Sequence, residues 1–202
     1  MIFYHEPSAS SACEMVAELI QYMGDEGLEK AEAECLLAGI MLDTKSFSLK
    51  SGVRTFEAAD YLKKKDADNA EVKKMFANSM DAYKIKCKII ENAYMAEDCA
   101  IARLNEREKD ARVPCAQAAD ELLNIKNVRA SFVIFPDEDG ISISARSFGD
   151  VNVQLIMEAL GGGGHQTMAA AQIPNIDFEQ AEEQLIKIIK EKLGETKNRT
   201  EN

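Results

Sequence analysis

The sequence predicts an α/β fold in two parts: a mostly helical stretch to about residue 92, then a stretch in which strands and helices alternate. Three observations predict it. From Ala12 to Ala93 the apolar residues recur at helical spacing. Beyond Asn92, Ile141, Ile143 and Ala145 alternate with Ser142, Ser144 and Arg146, the period of a half-buried strand. Two clusters of chain breakers, Asp137 to Gly140 and Gly161 to Gly164, bound short apolar runs of strand length.

Taken in order, Met1 to Tyr4 reads as a strand end, broken by Pro7 and the serines that follow. Ser11 and Glu14 form a capping-box pattern for a helix whose apolar side is Ala12, Met15, Val16, Leu19, Ile20 and Met23, with Gly24 at its end. A second helix spans about Glu29 to Thr44, and its unbroken apolar run Leu36 to Leu42 predicts burial on all sides. A third starts near Thr55 and ends at Lys63 to Lys65, where cations suit the negative end of the dipole. Asp66 to Asn69 is a turn, and helices follow at about Ala70 to Phe76 and Ser79 to Ala93. In the second part, Cys99 to Leu104 is a strand and Pro114 opens a helix reaching Leu123. Val128 to Phe135 and Ile141 to Arg146 are strands joined by the Asp137-Glu138-Asp139-Gly140 turn. Asn152 caps a helix from Val153 to Leu160, Met168 to Ile173 is a strand, and Phe178 to Leu193 is a terminal amphipathic helix before a polar tail.

Composition removes several function classes. Among 202 residues, 24 Lys and Arg face 35 Asp and Glu, a net charge of −11. So acidic a chain does not wrap long DNA or RNA by charge; a small anion remains possible where local groups supply positive field. No apolar run approaches a membrane span, and no segment resembles a signal peptide. The five cysteines, Cys13, Cys35, Cys87, Cys99 and Cys115, show no Cys-x-x-Cys pair, so they read as reduced thiols of a cytoplasmic protein rather than a zinc site.

Two features carry chemistry. In Gly161-Gly162-Gly163-Gly164-His165 the backbone loses every side chain, so its N–H groups can converge on an anion with His165 as a further donor. One glycine suffices for a helix cap, whereas four cost considerable backbone entropy. A phosphate loop of the G-K-[ST] type and a dinucleotide fingerprint are both excluded, the latter because these glycines follow a helix and precede a strand. Arg146, at a strand end, is the candidate cation for such an anion. The second feature is Asp43, which ends an apolar helix where both the dipole and the buried surroundings disfavour a bare carboxylate; a metal ion would compensate, and the alternative is that it turns into water or caps the turn at Ser46. The pairs Asp66 and Asp68, and Asp137 and Asp139, sit in turns, where aspartate serves local hydrogen bonds.

These residues together resemble the DHH phosphoesterase family. The likeness runs through Ile143-Ser144-Ala145-Arg146-Ser147, then Val151 to Glu158, Gly161 to His165 and Ala169-Ala170-Ala171, which look like the family's DHH-associated domain. Glu6 to Ser11 and Gly39 to Phe47 resemble the end of its catalytic domain. The combination is most similar to the GdpP-like branch, which cleaves cyclic di-AMP. The resemblance implies a mixed sheet, with residues 1–92 as the C-terminal part of the catalytic domain including a linker helix, 93–195 as the substrate-binding domain and 196–202 as a polar tail. It implies that Arg146, Ser147, Gly162, Gly163, Gly164 and His165 hold the substrate and that Asp43 is a metal ligand. No Asp-His-His occurs in the chain. The expectation is therefore a shortened piece of a phosphodiesterase whose parent binds two manganese ions, a piece that does not hold them stably and is itself inactive. The implied substrate is cyclic di-AMP or a short oligonucleotide. The alternatives are a nucleotide or oligoribonucleotide binding module without catalysis, or part of a nanoRNA phosphoesterase. The implied location is the cytosolic side of a parent that is often membrane-anchored. A third reading has the exposed apolar edge of the helical half pair two copies as a homodimer.

Overall fold

A computed structural model describes residues 4–24, 27–138 and 140–200, with side chains to Gly194. The chain forms two compact units, Met1–Ala77 and Asn78–Asn202. The first contains α1 (Ala12–Met23), α2 (Lys30–Asp43), α3 (Val53–Lys64) and α4 (Asn69–Met75). Ser11 caps α1, its Oγ accepting from the Glu14 N–H at 3.0 Å. Ala17, Leu37, Ile40, Leu62 and Val72 meet in its core. The burial expected along all of Leu36 to Leu42 is confined to one side: Leu37 and Ile40 are buried, but Leu42 is 65% exposed. With α1, α3 and α4 as its packing partners, α2 buries a stripe and leaves the rest outside. Asp68 caps α4 through the Ala70 N–H, which accounts for one of the paired aspartates. The strand expected at Met1 to Tyr4 falls mostly on residues 1–3, outside the described residues, and Tyr4 and His5 lie outside any strand.

The second unit begins with α5 (Met80–Glu91), capped by Ser79. This helix was expected to link the two parts. It packs on α6 (Arg112–Leu122), where Ile85, Ile89 and Ile90 join a core with Cys115, Ala118, Ala119 and Leu122. A six-stranded mixed sheet follows: β1 (Tyr94–Ala96), β2 (Cys99–Arg103), β3 (Ala130–Pro136), β4 (Gly140–Ser147), β5 (Gly163–Gly164) and β6 (Met168–Pro174), in spatial order β1-β2-β3-β4-β6-β5. Only β2 and β3 are parallel, joined through α6; the remaining neighbours are antiparallel. Of the Asp137-to-Gly140 turn between β3 and β4, Asp139 lies outside the described residues.

Strand alternation sorts the sheet into two faces. Ile101, Phe132, Ile134, Ile143, Ala145, Ala169 and Ala171 pack against α7 (Val153–Glu158) and α8 (Phe178–Thr200), chiefly Val153, Ile156, Met157, Leu185 and Ile189. Ala100, Ala102, Val133 and Phe135 pack on the opposite side beneath α5 and α6. The helix α8 continues to Thr200, into the stretch expected to be a polar tail. It is fixed to the β1–β2 edge by the buried Glu182, which accepts hydrogen bonds from Tyr94 Oη and, at 2.9 Å, from Arg103 Nε.

Candidate functional site

The sheet face covered by α6 over β2 and β3 runs on, uncovered, across β6 to β5. Met168, Ala170 and Gln172 on this face are exposed although β6 is flanked by strands on both sides. Register builds the face row by row. Arg146 pairs with Met168, and Met168 exchanges backbone hydrogen bonds with His165. One row along, Ser144 pairs with Ala170 and Ala170 with Gly163. The result is a floor of Ala170 and Gly163, beside the buried Ser144, bordered by Arg146 and His165 on one side and Gln172 on the other.

Each glycine has its own reason. Gly161 has φ +79° and closes α7, its N–H donating to Glu158 O at 3.0 Å, while Gly162 N–H donates to Met157 O at 2.8 Å. A Cβ on Gly162 would lie 2.1 Å from Ala170 O, and one on Gly164 2.5 Å from Ala169 Cα. Both glycines therefore let β5 close on the alanines of β6. Around Gly163 nothing lies within 4 Å of an added Cβ. The converging amide cradle expected from four glycines is not what the backbone forms, since the Gly161, Gly162 and His165 N–H groups already donate to Glu158, Met157 and Met168 carbonyls. Because His165 and Met168 are a hydrogen-bonded pair, Gly164 and Ala169 are the non-bonded one, and the Gly164 N–H points off the sheet edge.

Arg146 is not the solvated strand-end residue its position suggests. Its side chain is 14% exposed, and its Nε lies 3.2 Å from Asp120 Oδ1 on α6. Nη1 donates to Ala145 O at 2.9 Å, while the buried Nε makes no hydrogen bond. A guanidinium held from behind, with donor capacity left over, suits recognition of an oxyanion. Asp120 escaped sequence reasoning because only the packing of α6 on β4 brings residues 120 and 146 together. Ser147 plays a different part from the one the resemblance implies. It is fully buried, and its hydroxyl donates to Val151 O at 2.6 Å and accepts from Gly149 N–H. Its hydroxyl is engaged in shaping the loop after β4.

Asp43 ends α2 in the first unit and is exposed. Thr44, not Asp43, caps the turn: its Oγ1 donates to Ile40 O at 2.7 Å and accepts from Phe47 N–H at 2.9 Å. Lys45, Ser46 and Phe47 follow with φ of 46°, 55° and 65°. Three consecutive left-handed side-chain-bearing residues are costly, about 1–2 kcal/mol each, and such strain clusters at functional positions. Among the described residues, no three His, Cys, Asp or Glu side chains come together as a metal site. Asp43 alone does not fit a manganese pair.

A mixed sheet with helices on both faces and a glycine ribbon ending in histidine defines a DHH-associated domain, and residues 97–195 match the family described as the DHHA1 domain. A cyclic-di-AMP phosphodiesterase GdpP of Geobacillus thermodenitrificans is 50% identical over 188 residues, 92% of this chain and 29% of that protein. Residues 97–195 therefore belong to the DHHA1 domain family. A bifunctional oligoribonuclease and PAP phosphatase NrnA of Thermus thermophilus is 26% identical over 93% of the chain and 59% of that protein. The crystal structure of an exopolyphosphatase-related protein from Bacteroides fragilis superposes with a TM-score of 0.85 at 24% identity, covering 94% of this chain and 59% of that one, and so shares the fold. The chain thus spans less than a third of the length of the phosphodiesterase it matches. No helix among the described residues is long and apolar enough to cross a membrane.

Proposed function

We propose that this chain supplies the substrate-binding domain of a phosphodiesterase that hydrolyses cyclic di-AMP or a related dinucleotide. The observation that carries the reading is the open strip of β6 and β5 alongside β4, where Met168, Ala170 and Gln172 stand exposed. There Arg146, backed by Asp120, and His165 border the floor of Ala170 and Gly163. A phosphodiester lies on such a floor with its charge against the guanidinium and the imidazole, and the exposed Gly164 N–H serves as a further donor. Arg146, Gly163, Gly164 and His165 touch the ligand; Gly162 sets the height of the ribbon. Isothermal titration with cyclic di-AMP, its linear form and a short oligoribonucleotide tests this. Arg146→Ala removes a charged hydrogen-bond donor and is expected to weaken the tightest of the three by roughly 10- to 150-fold. Unchanged affinity takes Arg146 out of the site.

A second reading is binding without hydrolysis by this chain alone: among the described residues no three His, Cys, Asp or Glu side chains converge. Two manganese ions would activate water and clamp the phosphodiester in a complete centre. Asp43, just before the left-handed turn Lys45 to Phe47, is our candidate for one of their ligands. Substantial manganese-dependent turnover of cyclic di-AMP by this chain would overturn the second reading. We place the domain in the cytosol, where free thiols such as the buried Cys99 and Cys115 persist.

A further inference from the structure

We propose that Phe148 is a nucleobase platform at the rim of the strip, an assignment that rests on the nucleotide reading above. Phe148 is the first residue after β4, next to the buried Ser147 and two positions beyond Arg146. Its ring is 50% exposed and joins none of the hydrophobic clusters of the described residues. Exposure alone would mean little, but the backbone under this ring is fixed. Ser147 Oγ ties Val151 O and Gly149 N–H, and Gln166 Nε2 donates to Gly149 O at 2.6 Å. Val153 N–H donates to Gln166 O at 3.1 Å. Gln166 follows His165, so the same bonds that hold the ring's loop hold the end of the glycine ribbon.

The ring is therefore carried by a tied-down loop next to the strand that bears the candidate phosphate seat. A rigid aromatic loses little freedom when a base stacks on it, and every base presents a π-face. Two residues of chain reach at most about 7 Å, comparable to the separation of a nucleotide's phosphate from its own base. The one acid in the loop, Asp150, is engaged at 2.8 Å by Arg129 Nε, which offsets its repulsion of a phosphate.

The chain has no tryptophan, so Phe148→Trp installs a sole indole. Cyclic di-AMP is expected to quench its emission saturably, whereas ribose 5-phosphate, which lacks a base, leaves it unchanged. Phe148→Ala is expected to raise the Kd for cyclic di-AMP about 5- to 150-fold with the thermal melt unaltered. Wild-type affinity in Phe148→Ala overturns the platform, as does an unquenched indole in a Trp variant that calorimetry shows to bind. If Arg146→Ala abolishes binding while Phe148→Ala does not, only the platform falls. If the unaltered chain binds no nucleotide, the reading beneath it falls as well.

Discussion

Replacing the glycines of the ribbon one at a time separates those that pack from the one that faces a ligand. In Gly162→Ala the new methyl would stand 2.1 Å from Ala170 O, 2.6 Å from Ala171 Cα and 2.7 Å from Ala171 Cβ. Two of these atoms are backbone of β6, which is hydrogen-bonded to β4 on its other side, so relief needs a shift of a whole strand. Overpacking costs about 1–3 kcal/mol, and a backbone clash belongs at the upper end. For a unit of this size that lowers the melting temperature by roughly 6–15 °C. Gly163→Ala meets nothing within 4 Å and has no left-handed backbone to strain. It is expected to melt at or slightly above the wild-type temperature, since alanine restricts the unfolded chain by about 0.4–1 kcal/mol. Its methyl rises from the floor, so affinity for cyclic di-AMP should fall about tenfold or more. Differential scanning calorimetry and titration calorimetry on the same two variants read both effects. A Gly162→Ala chain that melts like wild type would refute the close approach of β5 to β6. A Gly163→Ala chain that binds like wild type would refute the floor as the ligand's seat.

Three further predictions use other parts of the molecule. Asp120→Asn leaves Arg146 in place but removes the charge behind it, so nucleotide affinity should drop and become less sensitive to the Arg146→Lys exchange; equal losses for Arg146→Lys in both backgrounds would show that Asp120 does not position the guanidinium. Burial pushes the Cys99 and Cys115 thiols up to about 12, so at pH 8 iodoacetamide should label the exposed Cys35 and Cys87 quickly and leave those two untouched in the folded chain, as peptide mass mapping would reveal. Burial raises the Asp137 carboxyl, but hydrogen bonds from Arg112, Ser142 and the Glu138 N–H outweigh it and hold the group below the usual carboxylate range. Its folded pKa being depressed, the stability it contributes is present above about pH 4 and lost as pH falls through the folded value. Urea titrations of Asp137→Asn should accordingly show a shallower loss of stability on the acid side than wild type.

Local chemistry was enough to place most elements. Ser11, Asn152 and the breaker at Gly161 act within a few residues, and each caps or ends its helix in the structure. The alternation from Ile141 to Arg146 marks a strand, but Ser142 and Ser144 are buried too, so that strand is covered on both faces rather than half-buried. The Glu14 carboxylate accepts from Ser10 instead of closing a capping box on Ser11. The strands β1 and β5 were not legible. β1 is a three-residue edge with two exposed positions, and β5 is two glycines without side chains to alternate. The family resemblance pointed to Arg146 and His165, but their alignment across β6 depends on register, which no local pattern carries. The burial of Leu42 was overestimated because an apolar run does not say how many neighbours a helix has. Ser147 looked like a ligand group and proved to be a loop fastener, since the fate of a hydroxyl depends on a carbonyl, Val151 O, that only the folded loop delivers.

The fit between Gly162, Gly164 and the alanines facing them limits how this protein could be re-engineered. Neither partner in that zipper has room to grow, so randomising the ribbon wholesale to change ligand preference would mostly yield collapsed or misthreaded variants. Position 163 alone is both sterically vacant and turned toward the strip, which makes it the natural dial for selectivity, with its neighbours left as the fixed mounting on which that dial turns.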